Sequence, residues 1–303
     1  MTSKYLLGAI KIVIYSIIAV VSTYIFLTLF NSQALPFSLP QRKEPTIILQ
    51  NIVLDDTITS LDLEWYSGGV EITKSTDNKI HIIEKSAVSL EESKWVKPIV
   101  SNKTLILHSR NKYNFTLFFF ETPVSYLELQ LPEQTYSRFK TTLTSGKTSI
   151  SNFNVENFDL VMTSGNLHLN NIISNDMNVT MTSGDAYLIQ VHTDDLRLGM
   201  TSGNTSFTGT VKNRLDVNMT SGNLDLDTSS ESPNFMNVEM TSGNTTVTLS
   251  GNRGFQVAID KTSGNFNPDS KMNRINDSLY QYLDSGLNYS VEMTSGQFSI
   301  NIR

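Results

Sequence analysis

The sequence predicts an all-β fold: a repetitive β-solenoid ectodomain with coils of about 19 residues, preceded by a single N-terminal transmembrane helix. Two observations predict the solenoid. The letters MTSGN or close variants recur from residue 143 onward, and apolar and polar residues alternate on both sides of every copy, as in a strand with one buried face. A third observation, an uncharged apolar run near the N-terminus, predicts the helix.

Residues 12–30 form the predicted membrane anchor. They contain no charge, and a helix of that length crosses roughly 30 Å of hydrocarbon. Lys4 and Lys11 precede the run, so the positive-inside tendency places residues 1–11 in the cytoplasm and the C-terminal domain outside the cell. The alternative is a secreted protein, cleaved near Ala34, where small residues suit a signal peptidase. The sequence favours a single-pass protein of the cell membrane.

Residues 31–45 form a polar, proline-containing stretch that we interpret as a linker. Four of the 23 basic residues and none of the 29 acidic ones lie before residue 44, so the rest has a net charge of about −10. This sign argues against nucleic acid as a partner, because binding a phosphate backbone requires clustered Lys and Arg. The chain has no cysteine, which excludes disulfides and thiolate metal sites.

The predicted solenoid domain covers residues 46–303. Residues 61–72, LDLEWYSGGVEI, look like a degenerate first copy of the repeat, and further strand-like runs follow up to residue 140. We therefore interpret residues 46–140 as irregular N-terminal coils that are continuous with the repeat array.

Each copy of the repeat contains a glycine at which the chain is predicted to turn a corner. Apolar residues lie three, five and seven places before this glycine in most copies, and two and four places after it in copies such as 165–169 and 222–226. The two sets are an odd number of residues apart, so a straight strand would point one set into water. Glycine tolerates positive φ at such a corner, while serine and asparagine bond to local backbone. The predicted corners are Gly146, Gly165, Gly184, Gly203, Gly222, Gly243, Gly264 and Gly296.

Each predicted unit consists of a strand, a corner, a short strand and a polar return, such as 170–176 or 208–214. One unit cannot bury its own apolar side, whereas stacked units share a core and pair their backbones coil on coil. A β-sandwich of short strands is the alternative architecture.

The last interval between corners is longer than the others and contains an insertion. Within residues 271–284, Met272, Ile275, Leu279 and Leu283 recur at helical spacing, with Asp269 or Ser270 as a candidate N-cap. We predict a short helix that covers the apolar end of the array, or alternatively docks a partner.

The sequence identifies no catalytic, cofactor-binding or metal-binding residues. The four histidines share no metal-ligand spacing with one another or with acidic residues. The methionine column three residues before the corners fits core packing better than a soft-metal ladder. Adjacent aspartates such as Asp194 and Asp195 lack the glycine-rich context of a calcium repeat. We predict a protein that is not an enzyme and needs no cofactor.

Residues 46–303 resemble a family of bacterial adhesin-type domains of unknown function, found in the cell envelopes of Gram-positive bacteria. The resemblance rests on LELQLP at 127–132, Phe139, TSG at 144–146 and the serial TSGN copies that follow. It implies a β-helical envelope protein, in some relatives linked to envelope-stress or antimicrobial-peptide responses. It supplies no catalytic residues.

These features together predict a non-enzymatic, membrane-anchored adhesin of the cell surface that binds a glycan or a protein partner. The alternative is a regulatory envelope-stress protein that acts through a membrane sensor or through self-association, using the 271–284 insert or an open final strand at 298–302. A polysaccharide-cleaving β-helix is the least favoured of the three. Any binding site is expected on the outward positions between corners, where the copies differ.

Overall fold

The computed structural model describes residues 45–66, 68–109, 125–284 and 286–303. The predicted cytoplasmic segment (1–11), the anchor (12–30), the cleavage position near Ala34 and the linker up to residue 44 lie outside these ranges. Within the described ranges, no helix combines the length and the apolar character needed to cross a membrane. One 3-10 turn, Glu92–Lys94, interrupts a chain of strands, which confirms the all-β prediction.

The strands number twenty-one in the described residues. The first eight are β1 (Ile47–Leu54), β2 (Ser60–Trp65), β3 (Val70–Lys74), β4 (Ile80–Ser86), β5 (Ile99–Ser101), β6 (Thr104–His108), β7 (Ser125–Leu131) and β8 (Thr135–Leu143). Four long strands follow: β9 (Lys147–Met162), β10 (Asn166–Met181), β11 (Asp185–Met200) and β12 (Asn204–Met219). The rest are β13 (Asn223–Thr228), β14 (Phe235–Met240), β15 (Asn244–Leu249), β16 (Phe255–Lys261), β17 (Asn265–Asn267), β18 (Asn273–Asn276), β19 (Leu279–Tyr282), β20 (Leu287–Met293) and β21 (Gln297–Ile302).

The long strands β9 to β12 each bend around most of one solenoid coil and pair in parallel with the next. Equivalent repeat positions adjoin in this pairing, so that Met162, Met181 and Met200 lie side by side. Inward residues of all the coils form one hydrophobic cluster that extends from Ile58 to Ile302. The predicted repeat architecture, in which coils share one core, is confirmed.

The corners stack glycine upon glycine. Nine glycines of the described residues have positive φ, the eight predicted ones and Gly68, with φ between 93° and 122°. At each corner the backbone passes close to the carbonyl of the neighbouring coil; a Cβ at Gly184 would lie 2.0 Å from the Gly165 oxygen. The expectation that the serines bond to local backbone is wrong, because they bond to the neighbouring coil. For example, Ser221 Oγ donates to the Thr201 carbonyl at 3.2 Å.

The return segments are paired strands and not the polar connections that were expected. A second bend occurs at Asn152, Asn171 and Gln190, which also have positive φ. After it, residues such as Phe153 and Ile172 point into the core. Single apolar residues among polar neighbours are a weak sequence signal, which is why the return looked solvent-exposed.

At the N-terminal end, the order of coils in space differs from their order in the chain. The coil of β2 and β3, which turns at Gly68, pairs on one side with β8 and β9. On its other side it pairs with β6 and β7. The coil of β6 and β7 is therefore outermost, and antiparallel β4 and β5 flank it.

The C-terminal end has the same interleaved arrangement. The last coil, formed by β20 and β21, lies between the coil of β14 and β15 and the coil of β16 and β17. The expectation of an open final strand is therefore wrong for its first half, because Gln297–Ser299 pairs on both sides. Beyond that point, the Asp269 carboxylate accepts the Ile302 N–H at 2.9 Å.

The predicted helix at 271–284 is wrong, because this insertion forms an antiparallel hairpin of β18 and β19. β19 pairs with β16 and satisfies its outer backbone groups. Tyr280 and Tyr282 pack on Phe266 and Phe255, with ring centroids 4.8 and 5.4 Å apart. Tyr280 and Tyr282 are two residues apart and therefore face the same side of a strand. Their packing favours the strand over the helix that the spacing of the aliphatic residues indicated.

One carboxylate is buried in the N-terminal end of the domain. Glu84 is 2% exposed, and its Oε2 accepts hydrogen bonds from Val96 N at 2.8 Å and Gln50 Nε2 at 2.7 Å. Burial raises the pKa of Glu84 above its usual range, and the two hydrogen bonds offset this only in part. The charged form therefore destabilises the fold at neutral pH.

Replacing Glu84 by glutamine is expected to raise the melting temperature near pH 7 relative to the unchanged protein. Because the folded pKa is above the unfolded one, the cost of the charge is fully present above the folded pKa. It disappears as the pH falls through the window between the two values. Thermal unfolding from about pH 4 to 8 should show the advantage of Glu84→Gln growing with pH, and a pH-independent difference would contradict the assignment.

Candidate functional site

A groove on the outward face after the corners is the best candidate for a binding site. It encloses about 430 Å³ across the first coils of the array. We call it the aromatic groove; its walls and floor are formed by Glu71, Tyr126, Lys147, Ser149, His168, Asn170, Tyr187 and Ile189. Concave surfaces that combine aromatic rings with a few polar groups are typical ligand sites.

The parallel register of the coils places these side chains in one column. Three residues after each corner, Glu71, Ser149, His168 and Tyr187 follow one another on adjacent strands. Ser149 is small and lies between larger neighbours, so the column dips there and forms the floor of the groove. The column from Glu71 to Tyr187 spans three strand spacings, on the order of 14 Å.

One wall of the groove is the ring of Tyr126. The ring lies directly over Gly69, where a Cβ would come within 2.4 Å of ring atoms Cδ2 and Cε2. Its hydroxyl donates to Glu71 Oε2 at 3.1 Å. Burial and the nearby Glu71 charge raise the pKa of Tyr126, so the phenol remains a hydrogen-bond donor at neutral pH.

The opposite wall is a stacked pair of rings. His168 and Tyr187 lie with their ring centroids 5.0 Å apart and nearly parallel. Burial, and secondarily the Lys147 charge, lowers the pKa of His168, which keeps the imidazole neutral at neutral pH. Tyr187 is 38% exposed and the adjacent Ile189 is 46% exposed. An aromatic and apolar surface is therefore open to solvent beside the polar floor.

A second groove, of about 530 Å³, lies on the face before the corners. The threonines of the repeat line it from Thr182 to Thr294, together with the methionine column from Met181 to Met293. At its far end Glu239, Glu292 and Asp260 lie in register on three adjacent strands. This groove has no aromatic ring among its lining residues, and its polar side chains are hydroxyls, carboxylates and the amide of Asn218.

The structure separates the four histidines that the sequence left without a role. His81 contacts Asp77 at 2.7 Å, and His192 Nδ1 lies 2.8 Å from Thr210 Oγ1. His168 belongs to the aromatic groove, and His108 lies beside Asp62 and Glu64. The corner glycines lie in the backbone stack and contribute no side chain to either groove.

Sequence reasoning missed Tyr126, His168 and Tyr187 as one site. The signal for the last two was present, because both lie three residues after a corner glycine in consecutive copies. No such signal existed for Tyr126, which belongs to the interleaved outer coil and comes into place only through the pairing of β7 with β3.

Comparisons with known proteins identify one family. The family profile described as Toastrack DUF4097 matches residues 58–301. None of the curated proteins has a sequence that matches this chain significantly.

Several solved structures match this chain over most of its length, at low sequence identity and with TM-scores below 0.5. They include a "putative cell adhesion protein" from Clostridium sporogenes, with 12% identity and a TM-score of 0.31 over 86% of this chain and 100% of that one. A "putative adhesin" from Bacteroides fragilis has 13% identity and a TM-score of 0.35 over 83% and 97% of the two chains. A "putative lipid binding protein" from Parabacteroides distasonis has 13% identity and a TM-score of 0.42 over 84% and 96%.

Proposed function

The chain belongs to the Toastrack DUF4097 family, and from that premise we propose that it is a non-enzymatic binding protein of the cell surface that holds a glycan chain in the aromatic groove. The adhesin role predicted from the sequence is retained, with residues 12–30 as the proposed membrane anchor. The observation that carries the proposal is the arrangement of Tyr126, Ser149, His168 and Tyr187 around one groove.

A sugar ring has an apolar C–H face and a rim of hydroxyls, and the groove offers a partner for each. The rings of Tyr126, His168 and Tyr187 provide planar apolar surface at a low entropy cost. Glu71 and Ser149 accept hydrogen bonds from hydroxyls, and Lys147 donates to them. The groove crosses several coils, which suits an extended chain better than a single small molecule.

Replacing Tyr187 by alanine is expected to weaken glycan binding about tenfold, which corresponds to ~1.4 kcal/mol. The side chain is 38% exposed, so its loss should leave the melting temperature almost unchanged. The measurement is titration of the purified full-length protein with envelope polysaccharides, after a glycan array has identified one that binds.

Phe235→Ala is the matched control. Phe235 is 39% exposed, packs against the Arg214 guanidinium and lies on a different face of the domain. Gly69→Ala tests the same site independently, because the new Cβ displaces the Tyr126 ring without requiring positive φ. The proposal is wrong if Tyr187→Ala and Gly69→Ala bind the glycan as tightly as the unchanged protein does. It is also wrong if the purified protein retains an envelope protein and binds no glycan.

A further inference from the structure

A cluster of metal-ligating side chains lies on the face before the corners, away from the aromatic groove. Asp62 and Glu64 project from β2, and His108 projects from the adjacent β6. We propose that these three residues bind one divalent transition-metal ion of the Zn²⁺ class. The proposal is independent of the glycan-binding function.

The distances between the three side chains suit one ion. One ligand atom from each residue lies within 4.8 Å of the other two. The shortest contacts use different nitrogens of the ring: His108 Nε2 is 3.5 Å from Asp62 Oδ1, whereas His108 Nδ1 is 4.0 Å from Glu64 Oε2. Two atoms bound to the same Zn²⁺ at its usual bond lengths are about 3.4 Å apart. Only one ring nitrogen can bind the ion, so the three side chains have to close from within 4.8 Å to about 3.4 Å, which rotation of the imidazole and the carboxylates can provide.

The donor set selects the class of metal. One imidazole and two carboxylates are a mixed nitrogen and oxygen set, which suits Zn²⁺ better than the all-oxygen preference of Ca²⁺ or Mg²⁺. All three side chains are partly exposed, so an ion can enter and keep water in its remaining position. The Tyr66 hydroxyl donates to Glu64 Oε2 at 3.1 Å and holds that carboxylate in place.

The neighbouring Lys140 opposes metal binding. Its Nζ lies 3.6 Å from Asp62 Oδ2, the oxygen that does not face His108. The ammonium group repels a bound cation and competes for the Asp62 carboxylate. Removing this charge should therefore strengthen metal binding, which a purely structural ion pair between Lys140 and Asp62 does not predict.

The test is calorimetric titration of chelator-treated full-length protein with Zn²⁺. The expected result is one saturable site, lost in His108→Gln and in Glu64→Gln, and weakened about tenfold in Tyr66→Phe through loss of the supporting hydrogen bond. Lys140→Met is expected to bind Zn²⁺ more tightly than the unchanged protein. Circular dichroism without metal checks that each variant is folded.

His192→Gln is the matched control, since His192 is an exposed histidine that contacts Thr210 and no carboxylate. It should bind Zn²⁺ as the unchanged protein does. The inference is overturned if the unchanged protein shows no saturable Zn²⁺ binding. It is equally overturned if His108→Gln and Glu64→Gln retain the site with full affinity.

Discussion

Gly203→Ala is expected to lower the free energy of unfolding by about 4 kcal/mol and the melting temperature by roughly 10 °C. Gly203 has φ of 120°, which residues with a side chain rarely adopt. In addition, a Cβ at this position would lie 1.9 Å from the backbone oxygen of Gly184. The corner cannot relax locally, because hydrogen bonds to the coils on both sides fix its backbone. The Asn204 N–H donates to the Gly184 carbonyl, and the Asn223 N–H donates to the Gly203 carbonyl.

Gly199→Ala, four residues away in the same coil, is the control. A Cβ there would come no closer than 3.4 Å to Thr180, so the substitution should be nearly neutral. Asn204→Ala should cost about 1 kcal/mol, since it removes side-chain hydrogen bonds to Asp185 and from Asn223. Similar melting temperatures for Gly203→Ala and Gly199→Ala would count against a close-packed corner.

Deleting residues 287–303 is expected to abolish cooperative unfolding of the domain. The deleted coil lies inside the array and buries seven apolar side chains: Leu287, Tyr289, Val291, Met293, Phe298, Ile300 and Ile302. At about 1.5–3 kcal/mol each, their burial is comparable with the whole stability of a typical domain. The coil of β16 and β17 would also lose its parallel partners. Thermal melts followed by circular dichroism would show this loss.

Deleting residues 255–286 and joining Gly254 to Leu287 is the matched control. Phe255 and Leu287 lie in register on neighbouring strands, so the new connection is short. This deletion removes the outermost coil and its hairpin but leaves the remaining stack continuous. We expect a lower melting temperature with cooperativity retained. If this deletion were the more damaging one, the interleaved order of the C-terminal coils would be wrong.

The inward columns and the corners follow from the sequence because their causes are local. Alternation with a period of two decides which side chains face the core, and a glycine marks each place where the phase changes. Met162 and Met181 are buried as their positions predict. Met200 is only partly buried, and it lines a small surface opening together with Gly199, which has no side chain to cover it.

The candidate sites were predictable only in part. The sequence located binding on variable outward positions, and His168 and Tyr187 occupy such positions. It gave no basis for bringing His108 to Asp62 and Glu64, which are more than forty residues away in the chain. That contact exists because the coil of β6 and β7 stacks outside the coil of β2 and β3.

The sequence by itself therefore determined the all-β repeat, its corner glycines and its inward face, since each depends on backbone geometry within a few residues. Only the tertiary structure decided the order of the terminal coils, the hairpin at β18 and β19, and the two surface sites. Coils with the same pattern can pair equally well with several neighbours. At the C-terminal end, Tyr280 and Tyr282 pack over Phe266 and Phe255 and cap the outermost coil, a contact between distant residues that no local pattern shows.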